Sequence, residues 1–127
     1  MIEFYIPLET PAKKNSRVFN TKTLRSFPSK TFRAWHDSAT AYILQEIKCG
    51  AFPLSVPVSI TLSFFHGDLR RRDSDNGVSS ILDLLVDCKI LADDNWQIVQ
   101  SISVHNHYRK GSPCCYITIS PQEAFQA

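Results

Sequence analysis

Two kinds of apolar periodicity alternate along the chain, and their order constrains the fold more than any other feature. Apolar residues at every second position predict four strands: Ile2–Leu8, Val58–Phe65, one contained within Trp96–Tyr108, and Cys114–Ser120. Apolar residues three and four positions apart predict two helices, about Ser29–Lys48 and Asn76–Cys88. The order β-α-β-α-β-β predicts an α+β fold of two layers, with both helices packed on one face of a mixed sheet.

The chain is long enough for one domain. Its 127 residues, 43% of them hydrophobic, can form a buried core, and we expect that domain to span residues 1–127. Between the first strand and the first helix, Arg17–Phe27 is either a small hairpin around Asn20–Thr23 or a basic loop. The start of the chain does not have the pattern of a signal peptide, and the apolar stretches are too short to span a bilayer. We therefore expect the four cysteines to be reduced thiols in the cytoplasm.

Charge is distributed unevenly along the sequence. Residues 1–33 carry seven basic and two acidic side chains, a net charge of +5, whereas residues 34–127 carry a net charge of −3. Seven of the twelve acidic residues lie between Asp68 and Asp94. A basic segment together with an acidic cluster is what a metal-dependent enzyme acting on a polyanion requires, although an unevenly charged, solvated surface accounts for the same distribution.

The acidic cluster contains carboxylates suited to a hard metal ion. Asp73 and Asp75 are two residues apart, so in an extended segment their side chains leave the same face, with Cα atoms about 6.6 Å apart. The helix that follows can bring Asp94 back beside them. Oxygen ligands of this kind suit Mg²⁺ or Mn²⁺, which share their remaining positions with water and phosphate. The same residues are also typical of helix capping by Asp75 or Asn76, and of a turn at Asp93-Asp94-Asn95.

Basic side chains accompany the carboxylates. Arg70, Arg71 and Arg72 directly precede Asp73, and guanidinium groups bind phosphate oxygens bidentately. The basic segment before the first helix contains further residues that we expect to contact phosphates: Lys13, Lys14 and Arg17. This segment favours a long polyanion over a small nucleotide.

These residues resemble the RusA family of Holliday-junction resolvases, small nucleases common in bacterial and prophage genomes. The resemblance rests on the runs RRRDSDN, ILDLL and ADDNWQIV, and extends to the loop PAKKNSR, the helix that contains Trp35 and a closing hairpin. It implies a RusA-like fold and a homodimer that uses Mg²⁺ to nick paired strands of branched DNA at a four-way junction. It also implies that Asp73, Asp75 and Asp94 are the catalytic residues that bind the metal.

One position departs from the family's pattern. The family usually has a lysine four residues after the second aspartate, and this chain has Ser79 there. A hydroxyl brings no charge to the phosphorus during hydrolysis, so either Arg72 or Lys14 compensates or the activity is weak. Three functions stay open: a junction-resolving endonuclease in recombination and repair, a relative that binds branched DNA without efficient cleavage, and a metal-dependent phosphohydrolase acting on nucleotides.

Several polar residues have a structural explanation beside a functional one. Ser79, Asp83 and Asp93 are candidates for supporting the metal ligands. Asp83 lies one helical turn beyond Ser79 and either supports Arg72 or lies on the polar face of the helix. Asp93 is a weaker ligand candidate than Asp94, because neighbouring side chains of an extended chain diverge.

Overall fold

The structure is a computed structural model that describes residues 1–12, 17–20, 25–47 and 52–122, and for 17–20 and 25–28 it describes the backbone. The bounds of the elements are Ile2–Ile6 for β1, Arg17–Asn20 for β2, Arg25–Pro28 for β3, Lys30–Glu46 for α1, Val58–His66 for β4, Val78–Asp87 for α2, Val99–Tyr108 for β5 and Cys114–Pro121 for β6. The predicted β-α-β-α-β-β order is confirmed, with β2 and β3 added after the first strand. These two strands pair antiparallel from Arg17 opposite Pro28 to Asn20 opposite Arg25, so the hairpin alternative is correct.

The other four strands form a mixed sheet in the order β1-β6-β4-β5. β6 is antiparallel to both of its neighbours. β4 and β5 are parallel, with Val58 opposite Val99 and His66 opposite Tyr108. Parallel neighbours need a crossover longer than a tight turn, and α2 supplies it.

One face of this sheet carries the core. Alternate residues of β4 are buried in it, namely Val58, Ile60, Leu62 and Phe64. The helices cover the same face with apolar stripes, which are Phe32, Trp35, Ala39 and Ile43 in α1 and Ile81, Leu84 and Leu85 in α2. The predicted arrangement of two helices on one face of a mixed sheet is therefore confirmed. Neither helix of the described residues is long and apolar enough to cross a membrane.

Helix α2 begins at Val78, two residues later than predicted, because the chain first makes a turn. Asn76 N donates to the Asp73 carbonyl at 3.1 Å, and Val78 N donates to the Asp75 carbonyl at 3.1 Å. Gly77 then occupies the N-cap position. A Cβ at Gly77 would lie 2.8 Å from Thr10 Cγ2 and 2.9 Å from Phe64 Cε1, so glycine lets this turn pack closely on the end of the sheet.

We predict that the Cys115 thiol in β6 resists alkylation in the native protein. Burial raises its pKa from 9.0 to about 12, so the folded state keeps the thiol protonated. Mass spectrometry of iodoacetamide-treated protein at about pH 8.5, near the pKa of a free thiol, should find Cys115 labelled only after denaturation. Because the folded-state pKa is raised, this contribution to stability is complete below the unfolded-state pKa and is lost as pH rises toward 12. Equal labelling of native and denatured protein would contradict the prediction.

Candidate functional site

The loop between β4 and α2, residues 67–77, carries two of the predicted ligands. The extended geometry assumed for Asp73 and Asp75 is wrong, because residues 74–77 form a turn. The capping alternative is also wrong, since Gly77 is the N-cap and the helix start receives no side-chain hydrogen bond. Both carboxylates are exposed, and neither has a hydrogen bond or ion pair within the described part of the chain. They are therefore open to an ion from solution.

A carboxylate from another segment holds this loop in place. Glu9, which follows β1, accepts a hydrogen bond from Gly67 N at 3.2 Å and another from Arg72 Nη2 at 3.1 Å, both on Oε1. Arg72 Nη2 also meets Asp68 Oδ1 at 2.9 Å. The Arg72 side chain is only 12% exposed, so its guanidinium is partly removed from water and its ion pairs are screened little. Glu9 thus ties the start of the loop to its centre.

A second connection joins Glu9 to the turn between the two aspartates. Glu9 Oε2 lies 2.9 Å from His66 Nδ1, and His66 Nε2 lies 2.8 Å from Asn106 Oδ1. Asn106 Nδ2 in turn donates to the Ser74 carbonyl at 2.8 Å. Both ring nitrogens of His66 face oxygen atoms, so the ring connects Glu9 with Asn106. We call Glu9, His66, Arg72 and Asn106 the loop clamp.

The three arginines of the loop differ in their surroundings. Arg70 is 77% exposed at its side chain, Arg71 is also exposed, and Arg72 belongs to the loop clamp. Asp68 accepts from Arg70 N at 3.0 Å, and this hydrogen bond, with the nearby guanidinium of Arg72, lowers the pKa of Asp68. Asp68 therefore offsets part of the arginine charge, while Arg70 and Arg71 point outward where a phosphate can approach.

The turn that contains the third predicted ligand is built by its neighbours. Asp93 Oδ1 accepts from Asp94 N at 2.7 Å, and Asp93 Oδ2 accepts from Asn95 Nδ2 at 3.1 Å. The backbone hydrogen bond from Asp94 is the main cause of a lowered pKa at Asp93. Asn95 Oδ1 accepts from Gln97 N at 2.9 Å, which starts the turn into β5. Asp93 is engaged in turn formation, and the Asp94 carboxylate is exposed.

One chain does not bring the three predicted ligands together. Asp73 and Asp75 follow β4, whereas Asp94 precedes β5, and these strands are parallel. Among the described residues, the group with ligand atoms all within 4.8 Å of one another is His36, Asp83 and Asp87, between α1 and α2. His36 Nε2 and Asp87 Oδ2 form an ion pair there at 2.9 Å. The sequence left open that Asp83 supports Arg72. In the structure Arg72 pairs with Glu9 and Asp68, whereas Asp83 lies beside His36.

Ser79 lies next to the second aspartate, as its helical spacing predicts. It is exposed in the first turn of α2. Together with Asp75, Asn76, Val78 and Leu82 it lines a pocket of about 190 Å³. Among the residues that the structure describes, none that lines this pocket is basic. Lys13 and Lys14, which we also expect to contact phosphates, lie outside the described residues. Arg17 is described by its backbone.

Loop-mounted carboxylates with exposed arginines at the end of a mixed sheet are typical of a metal-dependent nuclease. The model of the RusA endodeoxyribonuclease family matches residues 7–120. The chain therefore belongs to the RusA family, whose members are metal-dependent Holliday-junction resolvases that bind branched DNA. No curated protein shows a significant match to the chain. The resemblance inferred from the sequence is thus confirmed at the level of the family.

We predict that Glu9→Gln loosens the 67–77 loop without unfolding the domain. The substitution removes the charge that holds Arg72 and faces His66. A hydrogen bond to a charged group is worth roughly 1.5–3 kcal/mol, so the loop should open about tenfold more often. Trypsin cleaves after arginine, and its rate of cleavage after Arg70 and Arg71, read by mass spectrometry, measures that opening.

Glu3→Gln is the matched control, since Glu3 is an exposed carboxylate on β1 at a distance from the loop. Cleavage after Arg33, in α1, reports opening of the whole domain and should change less than cleavage in the loop. If Glu9→Gln and Glu3→Gln are cut at the same rate within the loop, Glu9 does not hold it.

Proposed function

We propose that the protein is a Mg²⁺-dependent, structure-specific endodeoxyribonuclease that resolves Holliday junctions by symmetric nicking, in DNA recombination and repair. The observation that carries the proposal is the pair of exposed carboxylates, Asp73 and Asp75, which have no partner among the described residues and lie on a loop that is otherwise tightly held. A rigid loop with two open carboxylates is what preorganised metal binding requires. The family match supports the substrate class, branched DNA.

The metal ligands in this proposal are Asp73, Asp75 and Asp94. Their donor set is all carboxylate oxygen, which fits Mg²⁺ and also Mn²⁺. When bound, the ion supplies Lewis-acid stabilisation of the phosphate and lowers the pKa of bound water. The chain's own contribution is to hold the carboxylates in place through the loop clamp, so that little reorganisation accompanies the reaction.

The DNA contacts come from side chains that the loop leaves exposed. Arg70 and Arg71 are placed to bind the phosphates that flank the scissile bond. Arg72 is bound to Glu9 and Asp68, so we assign it to loop positioning first and to phosphate contact second. Lys13, Lys14 and Arg17 complete the proposed DNA-binding surface, on the basis of their charge in the sequence.

A homodimer accounts for paired nicking. A junction presents two equivalent strands, and a two-fold dimer presents two equivalent sites. Each subunit's exposed arginines then meet one strand, so that both nicks follow from a single binding event.

A second candidate function is binding of branched DNA without efficient cleavage. The observation in its favour is the pocket beside Asp75, where Ser79 stands in place of the family's lysine and none of the described lining residues is basic. Without a cation there, charge that develops on the phosphate must be stabilised by the ion and the loop arginines alone. Binding needs only the exposed basic residues, so it would survive this loss.

We predict that Asp75→Asn abolishes cleavage of a synthetic four-way junction and leaves junction binding intact or tighter. The substitution removes a metal ligand and also a negative charge that repels DNA. Gel assays with and without Mg²⁺ measure cleavage, and gel-shift titrations without metal measure binding. Asp37→Asn, an exposed carboxylate on α1, should behave as wild type in both assays. Cleavage by Asp75→Asn at the wild-type rate would remove Asp75 from the site.

We predict that Ser79→Lys accelerates cleavage about tenfold, at the lower end of what an added electrostatic group contributes. The lysine enters the pocket beside Asp75 and stabilises charge that develops in the transition state, so junction affinity should change little. Single-turnover rates at saturating enzyme separate this gain from binding. Ser38→Lys, in the exposed part of α1, is the control for added charge.

Cleavage by wild type and by Ser79→Lys also decides between the two proposed functions, the nuclease and the DNA-binding relative. If wild type and Ser79→Lys both bind junctions and neither cleaves them, the protein is a DNA-binding relative without turnover. If wild type cleaves and Ser79→Lys is slower, another group already fills the position of the family's lysine.

A further inference from the structure

Both helices pack on one face of the four-stranded sheet, and the opposite face carries an aromatic side chain from each strand. These side chains are Tyr5 of β1, Tyr116 of β6, Phe65 of β4 and His107 of β5. They lie side by side because Tyr5 pairs with Tyr116 across one strand boundary and Phe65 pairs with His107 across another. We call these four side chains the aromatic row.

Ring contacts make the aromatic row continuous from one edge of the sheet to the other. The ring centroids of Tyr5 and Tyr116 lie 4.9 Å apart, and those of Tyr116 and Phe65 lie 5.7 Å apart. Phe65 and His107 are stacked, with centroids 4.6 Å apart and 21° between the ring planes. The Arg109 guanidinium carbon lies 4.2 Å from the centre of the Phe65 ring. Aromatic rings and arginine are the groups on which proteins stack unpaired bases.

His107 ends the aromatic row at the edge of the sheet. β5 is the outermost strand of the described sheet, and among the described strands none lies beyond it. Phe65 stacks on one face of the His107 ring, and the side chain is nevertheless exposed. The other face of the imidazole is therefore available to a planar group from outside the protein, and a nucleic acid base placed there would continue the stack.

The same residue lines a pocket of the proposed nuclease site. His107 borders a pocket of about 290 Å³ together with Arg70 and Asp73. The strand is held against the 67–77 loop here, because Asn106 Nδ2 donates to the Ser74 carbonyl at 2.8 Å. A nucleotide whose base stacks on His107 therefore has its phosphate close to an exposed arginine and to a proposed metal ligand.

We propose that His107 is a base-stacking residue, which binds an unpaired base of the DNA strand that enters the 67–77 loop. This inference rests on the proposed function, which supplies DNA as the substrate. An unpaired base can stack on a side chain at little cost, whereas a base within a duplex must first be unstacked. Stacking on His107 therefore favours branched or single-stranded DNA over a continuous duplex.

The charge beside His107 suits a nucleic acid. Arg109 and Lys110 directly follow β5 at this end of the aromatic row. Glu3 lies on the same face of the sheet, but it belongs to β1 at the opposite edge. The end of the row that carries the free imidazole face is thus also the end that attracts phosphate.

Binding of unpaired bases by the metal-free protein tests the proposal. The probes are a single-stranded oligonucleotide that carries the fluorescent base 2-aminopurine and a fully paired duplex of the same sequence. Fluorescence anisotropy measures affinity, and quenching of 2-aminopurine reports stacking. His107→Ala should weaken binding of the single strand about tenfold and abolish the quenching, because a base–aromatic stack is lost. Affinity for the duplex should stay close to that of wild type.

Two further variants separate stacking from charge and from general damage to the strand. His107→Phe keeps an aromatic ring without the imidazole's capacity for charge, so it should retain both the affinity and the quenching. His105→Ala is the matched control, since it removes the same exposed side chain from the same face of β5, one pair along the strand and opposite Ser63. It should bind both probes as wild type does.

Several results would overturn the proposal. His107→Ala that binds the single strand as wild type does excludes a stacking role, and an equal loss of affinity for single strand and duplex indicates a charge effect instead. The same loss in His105→Ala shows that the effect is not particular to the aromatic row. If His107→Ala leaves DNA binding unchanged but alters dimer dissociation, read by light scattering, a second copy of the chain covers this edge.

The proposal and the proposed function can fail separately. Wild type that cleaves junctions in Mg²⁺ but neither binds the single strand nor quenches 2-aminopurine contradicts base stacking and leaves the nuclease standing. Wild type that binds and quenches the single strand through His107 but never cleaves junctions contradicts the nuclease and leaves base stacking standing.

Discussion

The parallel pairing of β4 with β5 is the constraint on which the rest of the structure depends. Two parallel neighbours cannot be joined by a tight turn, so the chain must cross back along the sheet, and it does so as α2. That helix packs Ile81, Leu84 and Leu85 against the sheet and so contributes to the core. The same crossover separates the acidic loops by the length of a strand.

A carboxylate from a different segment of the chain, Glu9, pairs with an arginine of loop 67–77. A loop with three arginines and three aspartates could neutralise itself through internal pairs, and its proposed metal ligands would then be occupied. Arg72 instead contacts Glu9 at 3.1 Å, and the same guanidinium contacts Asp68 at 2.9 Å and the Arg70 carbonyl at 3.1 Å. Asp73 and Asp75 are left without cationic partners among the described residues. The partly exposed ion pairs of Arg72 thus act on the position of the loop more than on stability.

Periodicity predicted the packed elements because burial repeats along a strand or helix. All four apolar positions of β4 from Val58 to Phe64 are in the core, and so are Phe32, Trp35, Ala39 and Ile43 of α1. The ends of elements depended on interactions that periodicity does not record. Within the predicted range 96–108, β5 begins only at Val99, because Asn95 accepts hydrogen bonds from the residues that follow it. Trp96 consequently lies outside the strand and is 69% exposed.

The candidate site was predictable in composition and not in arrangement. The spacing of Asp73, Asp75 and Asp94 indicated candidate carboxylates, and Ser79 lines a pocket together with Asp75. Glu9 and Asn106 carry no local signal, since their contacts with His66 span 57 and 40 residues of sequence. Assuming an extended segment also hid the turn at 74–77, which Gly77 permits by leaving room for Thr10 and Phe64. Long-range polar contacts of this kind arise from the fold and leave no periodic pattern in the chain.

In the proposed site, DNA binding and cleavage depend on different charged groups. Grip on a DNA backbone depends on exposed cations such as Arg70 and Arg71, whose attraction for phosphate does not require exact placement. Turnover depends on charge within a few ångströms of the reacting phosphate, and Ser79 supplies none there. A chain with this distribution can retain affinity for branched DNA while its rate varies widely with one position in α2.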